Sequence, residues 1–262
     1  MRRSAQLMLS VLLLFASVWA AAPPGVSTRE APFKHGKNAI QGLIAWNDEV
    51  KGKRPGVLIV HGGWGYTDNV RAQARRIAES GYVGYAFDMA GHGAVATHLE
   101  HSPSGGPLEK NLAMMATRFH LAVEQLKQDP HVDPGRISAI GYCWGGMVVL
   151  NMARSGANLD AVVAIAPVLE TTIPAQKNQV VPRILALLGD QDPVAPREKI
   201  EAFRKEMTDA GARFDVILYP GVKHAFTQPY ADKAGRPGIA YDADADRKSW
   251  ASLLKLLKDI YG

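Results

Sequence analysis

RISAIGYCWGGMVVLNMARSG, residues 136–156, is the stretch on which the reading of this chain turns. RISAIGY (136–142) has the composition of a strand, and WGGMVVLNMARSG (144–156) follows as a helix. Between them stands Cys143, the only cysteine of the chain, framed by Gly141, Gly145 and Gly146. Strand, then G-x-C-x-G, then helix is the sequence form of a nucleophile elbow, a turn so tight that its central side chain is carried above the sheet in a strained conformation. Gly141 and Gly145 lack the Cβ atoms that would clash as strand and helix close on each other. The helix starting at Trp144 directs free N–H groups at the sulfur and favours thiolate over thiol. The plain alternative is a small buried core residue, as free cysteines often are.

The elements on either side repeat the same alternation. Ala39–Trp46 reads as an early strand. GVLIVH (56–61) is a continuous apolar run, the pattern of a strand buried on both faces. A helix follows, capped by Asp68 or Asn69, with Val70, Ala74, Ile77 and Ala78 on one face and Gly81 at its end. YVGYAFD (82–88) is the next strand, and Leu112, Met115, Phe119, Ala122 and Leu126 recur at helical spacing. DAVVAIAP (160–167), RILALLGD (183–190) and FDVILYP (214–220) are further strands. A helical stripe of Ile200, Phe203 and Met207 separates the last two, and a final helix turns Trp250, Leu253, Leu254, Leu257 and Ile260 inward. Alternating strand and helix implies a mostly parallel twisted sheet with helices on both faces.

Two of these strands end on groups that suit the thiol. LLGDQDPVAP (187–196) sets Asp192 just past one strand, and YPGVKHAF (219–226) sets His224 just past the next. The order nucleophile, acid, base is that of α/β-hydrolases, and all three residues fall at the carboxyl ends of sheet strands, where open α/β sheets form their crevice. Asp190 is the rival acid; lying nearer the strand end, it is better suited to shaping the turn.

On GYCWGG, GDQDPV and GVKHAF the chain resembles the dienelactone hydrolase family of the α/β-hydrolase fold, from about residue 39 to the C-terminus, where DADADRKSW also resembles the family's tail. The resemblance implies a Cys143–His224–Asp192 triad acting on a small-molecule ester or lactone through an acyl-thiol intermediate. It also marks two departures. The family's usual glutamate after the strand corresponding to VLIVH is Gly62 here, and the arginines that hold a substrate carboxylate correspond to His92 and Gln228. Neither replacement is a fixed cation, so dienelactone itself is not implied as the substrate. The expected oxyanion donors are the backbone N–H groups of Trp144 and Gly63. Trp64, Tyr142, Phe226 and Gln228 are candidates for the substrate pocket, with core packing as the duller role of the aromatic ones. A fold-retaining binding or sensory protein with weak catalysis is the alternative from another class.

Composition narrows the remaining choices. Arg2 and Arg3 precede the uncharged run LMLSVLLLFASVWA (7–20), and Ala20, Ala21 and Ala22 follow. This is the form of a signal peptide over residues 1–20, cleaved near Ala20, on a periplasmic or secreted protein; the run is short for a membrane span, so stable insertion after cleavage is not expected. Residues 21–262 suffice for a single α/β domain. The net charge of +5 includes Arg2 and Arg3, and no dense Lys/Arg block points to nucleic acid. One cysteine permits no internal disulfide. His92, His98 and His101 with Glu100 lack the spacing of a recognised zinc helix, so no metal or other cofactor is expected, and their stretch reads as a rim or lid loop. PYADKAGRPGIAYDADADR (229–247) is expected to act likewise from the opposite side. Asp88 and His61 are expected to tie down their own loops.

Overall fold

The computed structural model describes residues 25–91 and 108–262. The chain opens with strand β1 (Val26–Glu30), a short hairpin of β2 (Phe33–His35) and β3 (Asn38–Ile40), and strand β4 (Gly42–Asn47). Then come β5 (Arg54–Val60), helix α1 (Asp68–Glu79), β6 (Val83–Phe87), α2 (Leu108–Lys127), β7 (Val132–Tyr142) and α3 (Trp144–Arg154). Strands β8 (Ala161–Ile165) and β9 (Arg183–Gly189), helix α4 (Arg197–Asp209), β10 (Phe214–Tyr219) and helix α5 (Ala243–Tyr261) complete it. Eight strands form one sheet in the order β1-β4-β6-β5-β7-β8-β9-β10. The pairs β1–β4 and β4–β6 are antiparallel, and from β6 to β10 every pairing is parallel.

Alternation along the central strands explains their continuous apolar runs, such as VLIV in β5 and AVVAI in β8. Successive side chains point to opposite faces. Val57 and Ile59 enter an apolar layer with Val70, Ala74 and Ile77 of α1 and Leu253 and Leu257 of α5. Leu58 and Val60 enter the opposite layer with Phe119 of α2, Val148 of α3 and Phe203 of α4. All seven residues of β5, and all of β6 and β8, are buried. Each fully buried Leu, Ile or Val contributes about 1.5–3 kcal/mol against the entropy of ordering the chain. The α/β-hydrolase architecture expected from the sequence is what is found.

Three details differ from the sequence reading. The strand expected over 39–46 is two, because β3 turns into its hairpin and Gln41 separates it from β4. A Cβ on Gly42 would lie 2.5 Å from the Tyr85 hydroxyl, which itself bonds the Ala31 carbonyl, so the chain makes its crossing at a residue without a side chain. Helix α1 is preceded by Thr67 as its cap rather than by Asp68 or Asn69, and Asp68 is its first residue, where a carboxylate complements the helix dipole. Strand β7 begins at Val132, with a register break opposite Pro55 and Gly56.

The parallel strands point their carboxyl ends to one rim, and at that rim the close packing is between backbones. A Cβ on Gly141 would sit 2.1 Å from the Gly145 carbonyl oxygen, and one on Gly145 would sit 2.3 Å from that of Val60. Neither obstacle is a side chain that could swing away. Gly145→Ala is therefore expected to lower stability by about 3 kcal/mol or more. Gly52→Ala, at a positive φ but with open space around it, should cost only about 1 kcal/mol. Urea midpoints of the two variants check this; equal midpoints would contradict it.

Candidate active site

Cys143 joins β7 to α3 at φ 52° and ψ −113°, a conformation that a residue with a Cβ rarely adopts. Its backbone is held there from both sides. The Cys143 N–H donates to Ile165 O at 2.9 Å, while its carbonyl accepts from Met147 N at 3.2 Å and Val168 N at 3.3 Å. The elbow lifts the side chain off the end of β7 and leaves it 8% exposed.

Two loops bring partners to the sulfur. After β9, Asp192 Oδ1 accepts the Val194 N–H at 2.8 Å, which turns Oδ2 toward His224 Nδ1 at 2.7 Å. After β10, His224 Nε2 lies 3.0 Å from Cys143 Sγ. All three side chains are buried. Asp190, the rival acid, does not reach the imidazole: its Oδ1 accepts the Gly221 N–H at 2.7 Å and closes the turn of the histidine loop.

Burial alone would raise the thiol pKa, since charge is costly away from water. Against it act the neighbouring imidazolium of His224, the hydrogen bond from that ring, and the backbone N–H groups of Trp144 and Gly63, and together they leave the thiol below its ordinary value. The imidazole shows the converse. Burial lowers it, but the charge on Cys143 and the bonds to Asp192 and to the sulfur outweigh that effect and raise it to about 10. The arrangement favours an imidazolium–thiolate pair, with the two expected oxyanion donors already turned toward the sulfur.

Cys143 borders a small cavity of about 10 Å³ with Gly62, Trp64, Tyr142, Ile165, Thr227 and Gln228, room for a group the size of one water. Trp64 and Gln228 also border a cleft of about 480 Å³ with Tyr66, Asn69 and Tyr230. Gln228 Oε1 accepts from Asn69 Nδ2 at 2.8 Å, so this amide is itself held in place. Among the described residues bordering that cleft Asp68 carries the formal charge, and there is no cation. Tyr142 stays at the pocket floor, its hydroxyl donating to Gln73 Oε1 at 3.3 Å. Phe226 does not line the pocket: its ring is fully buried in the apolar layer with Leu253 and Leu257, edge-on to Tyr219 at 5.6 Å.

The stretch 229–247, expected as a lid, braces the site instead. His224 N donates to Gly238 O at 2.9 Å, Ala240 N to His224 O at 3.2 Å, and Asp242 N to Phe226 O at 3.0 Å. Asp242 then caps α5 through the N–H groups of Asp244 and Ala245. Only this capping left a trace in the sequence, as the acidic DADAD run. Asp88 accepts the Gly91 N–H at 2.9 Å and so does tie down its own loop. His92, His98, Glu100 and His101 lie outside the described residues, as do residues 1–20.

Comparison with known proteins adds to this geometry. Residues 40–261 match the model of the family described as "Dienelactone hydrolase family". A provisionally named carboxymethylenebutenolidase of Escherichia coli strain K12 is 27% identical over 226 residues, 80% of this chain and 79% of that one. Among solved structures, P91, a dienelactone hydrolase-like promiscuous phosphotriesterase from metagenomic libraries, superposes with a TM-score of 0.82 at 28% identity, covering 91% of this chain and 100% of its own. A structure titled m3DLH gives 0.81 at 29% identity, with the same coverage of each chain.

Because the thiol pKa is lowered, thiolate should persist as pH falls below the ordinary thiol range of about 8.5. Iodoacetamide labelling of Cys143 is thus expected to stay near its full rate at neutral pH. In His224→Ala burial remains while the imidazolium is gone, so the inflection should move above the usual thiol value. A wild-type inflection at or above about 8.5 would contradict the ion pair.

Proposed function

The chain belongs to the dienelactone hydrolase family, and on that footing we propose that Cys143, His224 and Asp192 form the catalytic triad of a carboxylic ester or lactone hydrolase. The observation that carries this reading is the unbroken run of contacts from Asp192 through His224 to Sγ, at 2.7 and 3.0 Å.

Each step follows from the groups in place. The thiolate attacks the acyl carbon, and the carbonyl π pair moves onto oxygen. The backbone N–H groups of Trp144 and Gly63 receive that oxyanion. Collapse breaks the bond to the leaving oxygen, which takes the proton from His224 Nε2 and departs as an alcohol, or stays tethered if the substrate is a lactone. Water then attacks the acyl-thiol and gives a proton to the now neutral imidazole. The second tetrahedral intermediate expels thiolate and returns the resting pair. Asp192 holds the ring by Nδ1 and stabilises its positive charge through both halves of the cycle.

Sulfur as nucleophile restricts what can be cleaved. Thiolate leaves more readily than an amide nitrogen, so an adduct built on a peptide falls back, whereas an activated ester, enol ester or lactone has a competitive leaving group. The cleft beside Trp64 and Gln228 offers aromatic surface and neutral amides and lacks a fixed cation among its described residues. This supports an uncharged substrate body in place of the carboxylate that family arginines would hold. The export reading stands on Arg2, Arg3 and the apolar run 7–20, with 21–262 as a single domain. A secreted or periplasmic chain beginning at Ala21 on N-terminal sequencing would support it, and an intact cytoplasmic chain would contradict it.

Cys143→Ala is expected to abolish p-nitrophenyl acetate turnover and iodoacetamide labelling together. Asp192→Asn should lower kcat on the order of 10²-fold or more, while Asp190→Asn stays close to wild type. Steady-state kinetics on purified protein check all three; unchanged turnover in Cys143→Ala would overturn the assignment.

A further inference from the structure

One buried titratable side chain beside the site takes no part in the steps above. His61 follows β5 directly and is fully buried, with its ring stacked on Trp144 at a centroid distance of 5.7 Å. Its Nδ1 lies 2.7 Å from the carbonyl oxygen of the next residue, Gly62. A carbonyl oxygen can only accept, so Nδ1 carries the proton and donates. Nε2 has no hydrogen-bond partner among the described residues and lies 3.5 Å from Asp88 Oδ1.

The acceptor makes this contact functional. The Gly62 carbonyl and the Gly63 N–H are two ends of one peptide group. The described backbone has no cis peptide bond, so the C=O and N–H bonds of this peptide lie in one plane and point in opposite directions. Anchoring the oxygen aims the N–H, and that N–H is one of the two directed at Cys143 Sγ. Gly65 N also donates to Gly62 O, at 3.1 Å, so the turn supplies one anchor and the histidine the second, shorter one. Gly62 lacks the side chain that would otherwise stiffen this peptide: a Cβ there would lie 3.2 Å from Tyr142 O and 3.3 Å from Cys143 Cβ. A hydrogen bond to the carbonyl also polarises the peptide and strengthens the donor at its other end. The same ring packs against Trp144, whose backbone N–H is the second donor.

We propose that His61 is a positioning residue for the oxyanion hole, holding the Gly62–Gly63 peptide through Nδ1–H so that the Gly63 N–H faces the sulfur and, during the reaction, the oxyanion. The proposal rests on the hydrolase reading for its kinetic consequence but not for its structural one. His61→Phe keeps the ring stack on Trp144 and removes the donor. His61→Asn loses the stack but places an amide donor where Nδ1 stands. Removing an oxyanion donor outright costs about 10²–10³ in kcat. With Gly65 still holding the carbonyl, His61→Phe is expected to lower kcat by about tenfold with KM little changed, and to shift the iodoacetamide inflection of Cys143 upward. His61→Asn should recover most of both effects.

Wild-type behaviour of His61→Phe in both measurements would overturn the proposal, and so would equal losses in the two variants, which would indicate packing alone. Should the Phe variant fail to fold, ¹⁵N–¹H correlation spectra of histidine-labelled wild-type protein decide. A proton on His61 Nδ1 supports the proposal, and a bare Nδ1 with the proton on Nε2 contradicts it. If no ester or lactone is turned over, the hydrolase reading fails, while the inflection shift and the Nδ1 proton still report on His61.

Discussion

The contact between Cys143 Sγ and His224 Nε2 is the interaction on which the other features of this site depend. Cys143 is nearly enclosed, and enclosure by itself keeps a proton on sulfur. The imidazolium, itself steadied by Asp192, and two backbone N–H groups act on the sulfur and together favour the thiolate. Those contributors come from four separate segments: the end of β5, the elbow after β7, and the loops after β9 and β10. The parallel sheet is what delivers them, since each parallel strand ends on the same rim. Loss of any one leaves burial less opposed and moves the resting state toward neutral thiol and imidazole.

Holding that geometry requires strain, and the strain is confined to a few residues. The positive φ of Cys143 is tolerated because β8, α3 and the loop leading from β8 all hydrogen-bond its backbone. The positive φ of Ala225 is tolerated because the segment 238–242 is laced to the histidine loop on both sides. Glycines at 141 and 145 let strand, elbow and helix approach closer than any Cβ would allow. The rigid contacts surround the chemistry, and the cleft beyond Trp64 and Gln228 is the part with space to vary.

Much of this could be read in advance, and the parts that could not share a cause. The central strands announce themselves because burial on both faces leaves continuous apolar runs such as VLIV and AVVAI. Distance from the strand end separates Asp192 from Asp190 in the sequence, and in the structure Asp192 bonds the imidazole while Asp190 bonds a turn N–H. Strand β1, with the sequence VSTRE, lies at the sheet edge and shows no apolar run. The hairpin of β2 and β3 has three residues per strand, too few for a period to appear. The brace over 238–242 is made by backbone atoms, which carry no residue signature. Phe226 flanks the histidine in sequence as a pocket residue would, but its ring belongs to the apolar layer, a difference that adjacency along the chain does not encode. The sequence suggests only a loop anchor for His61; its bond to the adjacent carbonyl depends on the ring's orientation, which has no signature in the residue order.

Trp64, Tyr66 and Tyr230 with the amides of Asn69 and Gln228 give the site an aromatic approach without a cation among its described lining residues. Catalysis by that nucleophile implies a covalent acyl-thiol, and its direct detection is the most incisive measurement. Intact-mass analysis of the wild-type protein, acid-quenched within milliseconds of mixing with p-nitrophenyl acetate, should show a single acetyl adduct that peptide mapping assigns to Cys143 and that decays at the rate of turnover. Turnover with no adduct on Cys143, or with acetyl on another residue at the kinetically competent rate, would contradict the central claim.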